Sequence, residues 1–227
     1  MLDHYAQVFN TVEINSTYYR IPHPAVFWHL DQKTPKDFDF IVKTNKEITH
    51  VRKQNREFCN ELIESVKPLK NSGKLKGFLA QFPYSFKLSP QNLDYVGQTN
   101  EFLGDDPFFV EFRHKSWVND KVYNFLRQNN IGYVCVDEPQ LPNLLPPQDI
   151  VTTDTGYVRM HGRNNVTWWD ASKGDRYDYS YTKQEMENWK ERLLKMLLEV
   201  KKLYLFFNNC HHGHAASNAI EMSNILV

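Results

Sequence analysis

Seven short runs rich in β-branched and aromatic residues alternate along this chain with longer stretches of helical periodicity. No other feature limits the fold so strongly. The runs are Phe9–Thr17, Phe38–Asn45, Lys76–Pro83, Phe108–His114, Ile131–Pro139, Gly156–Arg163 and Lys202–Asn209, and each closes on polar or turn residues. Helical patterns lie between them. In Val51–Lys70, Phe58, Leu62 and Val66 recur on one face. Thr182–Lys201 opens with the capping-box pair Thr182 and Glu185 and carries an apolar stripe through Met186, Trp189, Leu193, Met196 and Val200. Weaker helical patterns cover Ala25–Lys33, Gln91–Leu103, Val118–Gln128 and Ala215–Leu226, while Pro139–Gln148, with its four prolines, reads as an irregular loop.

Strand followed by helix, repeated, demands parallel strands joined by crossovers. An open doubly wound sheet and a closed (β/α) barrel both meet that demand. No G-x-G-x-x-G follows the first run and no G-x-x-x-x-G-K-[ST] occurs anywhere, which weakens a nucleotide-binding open sheet. Charged residues end nearly every run, and a barrel gathers such ends at one mouth. The expected fold is therefore α/β, a TIM-type (β/α) barrel forming one domain over residues 1–227. Residues Leu2 to Val8 read as a short amphipathic helix, so the strand that should open such a barrel is missing. Seven parallel strands are expected, and the seam left behind would need cover for two edges.

Composition excludes several classes. The 227 residues are 41% apolar and 14% aromatic, too rich for a disordered chain. Lysine plus arginine equals aspartate plus glutamate at 27 each, which argues against coating nucleic acid by bulk charge but leaves room for a local basic pocket. Three cysteines without C-x-x-C spacing read as reduced thiols. With no signal peptide in MLDHYAQVFN and no apolar run of membrane length, a cytoplasmic location without membrane association is expected.

Charged residues inside a strand flanked by helices are the informative ones, since such strands should be apolar on both faces. Glu13 and Asn15 share one parity, as do Lys43 and Asn45, Glu111 and Arg113, and Arg159, His161 and Arg163. If that side is the barrel interior, these groups converge near the mouth, and ion pairs that only satisfy one another would produce the same pattern. His161 is the best proton-transfer candidate because imidazole titrates near neutrality. Asp137 and Glu138, closing their strand, are candidates for general base or metal ligand. His114 has a case like that of His161. Asn208, Asn209 and Gly213, before a helix, suggest with Arg163 an anion site of the kind barrels build after their last strands; a turn and a helix cap would need the same residues. His211, His212 and His214 form a His-His-x-His string that spacing alone does not make into a metal site. Trp117 is a candidate pocket wall, and Trp168 and Trp169 lie in a polar insert, Arg163–Tyr181, that reads as a lid or a stacking surface.

The strings FNTVEINSTYYRIP, VEFRHKSW, YVRMHGR and FFNNCHHGHAASNA, in that order from about Tyr5 onward, resemble the YecE-like family, whose members have unknown function and a TIM-barrel-like fold. The resemblance implies the barrel independently of the strand pattern. By motif it matches Glu13, Asn15 and Ser16; Glu111, Arg113, His114, Ser116 and Trp117; Arg159, His161, Gly162 and Arg163; and Asn208, Asn209 and Gly213 to family positions. Members usually begin with a glycine-rich strand that is not found here, through natural truncation or a start placed too far downstream. The family brings no reaction with it. The residues lead to a hydrolase or lyase for a phosphate-bearing or other anionic small ligand. Lys43, Arg113, Arg159 and Arg163 would position the anion, and Glu111 or Glu13 would orient the site. The cofactor is undefined, with a divalent metal on Glu111, Asp137, His161 and His211 as a variant. A non-catalytic binder of nucleic acid or a phosphorylated ligand is the alternative, and the oligomeric state is unknown.

Overall fold

The computed structural model describes residues 2–170, 172 and 175–226. Seven strands follow one another in chain order in one sheet, β1 (Thr11–Ile14), β2 (Asp39–Lys43), β3 (Leu75–Gln81), β4 (Phe108–Glu111), β5 (Ile131–Asp137), β6 (Thr155–Met160) and β7 (Lys202–Phe207). The pairs β1–β2, β2–β3, β5–β6 and β6–β7 run parallel. This is the strand–helix order of the TIM-barrel class, as the sequence pattern leads one to expect. All seven expected runs hold a strand, trimmed where the chain turns off the ladder.

The chain divides into two compact units, Met1–Pro83 with Leu88–Val110 and Tyr84–Lys87 with Glu111–Val227. The first contains α1 (Leu2–Tyr5), α2 (Pro24–Gln32), α3 (Asn55–Asn71) and α4 (Pro90–Leu103). Proline at the first helical position and a side chain accepting from the first turn start α2 (His23) and α4 (Ser89). The α3 helix begins later than the apolar spacing suggests because Glu47–Val51 forms a π-helical turn and Arg52 adopts a left-handed conformation with φ 59°. It then buries Cys59, Leu62, Val66 and Leu69. In β3, Gly77 has φ +138°, and a Cβ there would lie 2.4 Å from the Pro107 carbonyl oxygen. Only glycine allows that approach, next to the point where the β2–β3 register shifts.

The second unit contains α5 (Asp120–Gln128), α6 (Lys183–Leu197) and α7 (His214–Leu226). Every residue of β5 is buried, as expected for a strand covered on both faces. The expected capping box starts α6: Thr182 accepts from the Glu185 N–H while the Glu185 carboxylate accepts from the Thr182 N–H. Met186, Trp189, Leu193 and Met196 form its buried stripe. The proline-rich 139–148 segment is irregular, and it returns the Leu145 N–H to the end of β5. Cys59 and Cys135 are buried thiols, and burial pushes both up to about 12, which leaves them protonated and inert.

Candidate functional site

In the second unit, the ends of β4, β5 and β6 bring together Glu111, Arg113, Glu138, Arg159 and His161, each at most 7% exposed. Strand alternation explains most of the convergence. Val136 is in register with Arg159, so the residues two further along, Glu138 and His161, continue on the same side. Glu111 is the hub. Its Oε1 lies 2.5 Å from Arg113 Nε and 3.1 Å from His161 Nε2, and its Oε2 pairs with Arg159 Nη1. Arg113 bridges onward, its Nη1 donating to Glu138 Oε2 at 3.0 Å, while the Leu145 N–H donates to Glu138 Oε1 at 3.0 Å.

The two carboxyls of this network differ in proton affinity. Burial alone would raise Glu111, but Arg113 and Arg159 outweigh it and hold the carboxylate well below its ordinary range. Glu138 has one arginine partner, so burial prevails and pushes it up to about 7, with the Glu111 charge adding to the rise. His161 goes the other way. Burial, then the Arg113 charge, push it down to about 3 despite the pull of Glu111. At neutral pH the imidazole is therefore neutral, and the group titrating near neutrality is Glu138.

His161 Nε2 also lies 3.0 Å from Arg113 Nη2. A guanidinium can only donate and a carboxylate can only accept, so Nε2 satisfies one of these neighbours in either neutral tautomer. In both, Nδ1 is left buried with no hydrogen-bond partner among the described residues. Such an orphan costs about 1–3 kcal/mol. Tyr177, from the insert between β6 and α6, lies near the ring, tilted by 44°, with its centroid 6.3 Å from that of His161.

Asp137 points away from this network. It accepts from Arg163 Nε and Nη2, both at 2.8 Å, and Arg163 Nη1 continues to Glu185 Oε1 at 3.1 Å. The parity argument groups Arg163 with Arg159 and His161, but Gly162 between them has φ +88° and breaks the alternation. A Cβ on Gly162 would lie 2.7 Å from Tyr179 Cβ. Tyr179 donates to Glu185 at 2.5 Å, and Tyr181 accepts from the Gly162 N–H at 2.8 Å. Arg163 thus anchors the insert and is fully engaged by carboxylates.

The remaining expected residues fall into other settings. Asn209, fully buried, donates to the Tyr179 carbonyl at 2.8 Å and to Asn218 Oδ1 at 2.9 Å, so its amide ties the insert to α7. The Asn208 N–H continues the ladder to the Met160 carbonyl, and Gly213, with φ +81°, sits in a turn. Trp117 is core: it stacks on Phe112 at 3.9 Å, and its indole N–H donates to the Phe86 carbonyl. His114 caps the Lys115–Trp117 turn by accepting from the Ser116 N–H at 3.1 Å and meets Tyr84 edge-on. Burial and the nearby lysines Lys87 and Lys115 lower its pKa. Exposed Trp169 also packs edge-on against Tyr84, at 4.9 Å.

In the first unit, Asn15 donates to Glu13 at 2.8 Å, and Lys43 donates to Gln81 at 2.8 Å and lies over the Tyr18 ring. His50 is lowered by burial and by the charges of Lys43 and Arg52.

A metal set of Glu111, Asp137, His161 and His211 is not assembled, since Glu111 and Asp137 stand in separate networks. Among the described residues, one group of three or more ligating side chains is close enough for an ion: Asp178, His211 and His212. Several partners of the expected residues come from elsewhere in the sequence, among them Glu185 on Arg163, Gln81 on Lys43 and Asp175 on His211, and no local pattern signals them.

Comparison with known proteins bears on the family and the fold. Residues 1–227 match the family described as Protein of unknown function DUF72. UPF0759 protein YunF of Bacillus subtilis (strain 168) is 31% identical over 242 residues, spanning 99% of this chain and 86% of that protein. UPF0759 protein YecE of Escherichia coli O157:H7 is 29% identical over 144 residues, 60% of this chain and 52% of that protein. The crystal structure of a DUF72 family protein from Thermotoga maritima MSB8 superposes with a TM-score of 0.91 at 42% identity, over 99% of this chain and 88% of that one. One from Enterococcus faecalis V583 gives 0.93 at 31% identity, over 100% and 88%. The chain therefore belongs to the DUF72 family and has its TIM-barrel-like α/β fold.

Proposed function

We propose that the protein is an acid–base enzyme, a hydrolase or lyase, for a phosphate-bearing or other anionic substrate bound beside Glu111, Arg113, Glu138, Arg159 and His161. The observation that carries this reading is a buried pair of arginines next to a carboxyl held near neutrality and an imidazole nitrogen with no partner among the described residues. Arg113 and Arg159 would hold the anionic oxygens, with Glu111 fixing both guanidiniums in place. His161 Nδ1 would hydrogen-bond the substrate. Glu138 takes the proton-transfer role that the sequence suggests for His161. Its protonated carboxyl would give its proton to the leaving oxygen as that bond breaks. In hydrolysis, water supplies the incoming oxygen and its released proton restores the Glu138 carboxyl; in a lyase, the adjacent C–H gives its proton to the Glu138 carboxylate left by the first transfer and its electron pair forms the double bond.

Turnover of a phosphoester panel by the wild type, E138Q and R159M tests this. Loss of turnover by about 10²–10⁴ in E138Q, with inorganic phosphate still bound, is expected; R159M should weaken phosphate binding. Failure of the wild type to turn over any compound or to bind phosphate would overturn the reading.

The pair Tyr84 and Trp169 supports a second reading, a non-catalytic binder that stacks a base or sugar on the exposed Trp169 ring. Binding of an oligonucleotide with a steep salt dependence, unchanged in E138Q, would favour it.

A further inference from the structure

We propose that Asp178, His211 and His212 form a site for a divalent transition metal ion, with Zn(II) expected, that ties the insert between β6 and α6 to the loop after β7. One ligand atom from each of the three lies within 4.8 Å of the others. Zinc bonds of about 2.0–2.1 Å set tetrahedral ligand separations of about 3.4 Å, so the group has to draw in by about 1.4 Å at most to close on an ion. Asp178 and His212 are exposed and His211 is half-buried, so an ion reaches them from solvent.

The surroundings are those of a built site. Asp175 Oδ2 lies 3.4 Å from His211 Nδ1, and the opposite nitrogen, Nε2, faces Asp178 Oδ2 at 4.0 Å. A carboxylate on one imidazole nitrogen fixes the ring and its tautomer so that the other nitrogen presents its lone pair, the pattern found behind metal-bound histidines. His214 Nε2 lies 3.7 Å from Asp178 Oδ1, outside the group of three but beside its carboxylate. The acidic turn is itself held. The Tyr177 N–H donates to Asp175 Oδ1 at 2.8 Å, Thr167 donates to the Asp175 carbonyl at 3.1 Å, and Asn164 donates to the Asp178 carbonyl at 3.1 Å. His212 has a left-handed backbone, φ 50° and ψ 18°, and its ring meets that of His211 at 4.0 Å, nearly perpendicular. Imidazoles with a single carboxylate suit zinc and its transition-metal neighbours better than magnesium or calcium, which prefer all-oxygen sets. Tyr177 belongs to the same turn, so the ion would steady the ring that lies beside His161.

The test uses the full chain without a histidine tag, stripped with EDTA and dialysed, then titrated with Zn(II) by calorimetry and with Co(II) by visible absorption. One ion per chain is expected, with a dissociation constant in the micromolar range or tighter. H212A and D178N should each weaken zinc by about 100-fold or more, and D175N by about 10–100-fold. Absence of binding, or binding that persists unchanged in both H212A and D178N, overturns the site. The readout needs no substrate, so it stands apart from any result on turnover.

Discussion

Replacing Glu138 by glutamine removes a carboxyl whose proton affinity the fold raises into the neutral range. Its oxygens accept from the Leu145 N–H and from Arg113 Nη1, and burial lifts it from 4.5 to about 7. A raised carboxyl means that the folded chain keeps a proton the unfolded chain gives up. The resulting stabilisation is complete below about pH 4.5 and is lost as pH rises through about 7. At about 1.4 kcal/mol per pH unit, that interval amounts to about 3 kcal/mol. Urea unfolding of the wild type and E138Q, followed by tryptophan fluorescence at several pH values across the interval, measures it. The stability of the wild type minus that of the variant should fall by about 3 kcal/mol from the acid to the neutral end. Glutamine also turns an N–H toward one of two donors, an offset of about 1–3 kcal/mol that does not vary with pH, so the slope carries the test. Glu111 is present in both proteins and cancels. A flat difference, or one that grows with pH, would refute the assignment of burial as the dominant influence on Glu138.

Two further outcomes follow from local geometry. G162A should destabilise the chain by about 1–2 kcal/mol from backbone conformation alone, before the contact with Tyr179 is counted, and should speed proteolysis within residues 163–181; an unchanged cleavage rate would mean that the turn at Gly162 does not hold the insert. T182A removes half of the capping box and should cost about 1 kcal/mol, about 2–4 °C in Tm for a chain of this size. A melting point equal to the wild type would show that Glu185, held also by Arg163 and Tyr179, fixes the start of α6 without the cap.

Much of this fold was legible in the sequence because strand and helix periods differ so sharply. All seven runs carry strands, and the α6 capping box is where Thr182 and Glu185 put it. Ends were harder. Phe9–Thr17 shortens to Thr11–Ile14 because Ser16–Tyr18 coils into a 3₁₀ turn, which alternation cannot reveal. For the site, side-chain parity correctly groups Glu111 and Arg113 with Arg159 and His161, since these positions keep the period of two. It fails at Arg163, one residue beyond a glycine with positive φ. Protonation was out of reach. The neutrality of His161 follows from burial and the Arg113 charge, and the raised carboxyl of Glu138 from burial that outweighs Arg113, all of which only the folded chain supplies. Trp117 reads as a pocket wall because its neighbours are polar, yet its ring lies between Phe86 and Phe112.

Asp137 and Glu138 are adjacent along the backbone yet serve opposite sides of the sheet, one gripping Arg163 and the other meeting Arg113. Deleting or inserting a single residue within β5 would exchange them, sending the aspartate among the arginines and the glutamate toward the insert. Length variation within Ile131–Asp137 is therefore forbidden to any descendant that keeps both networks, whereas the irregular stretch after it can lengthen freely so long as one N–H still comes back to Glu138.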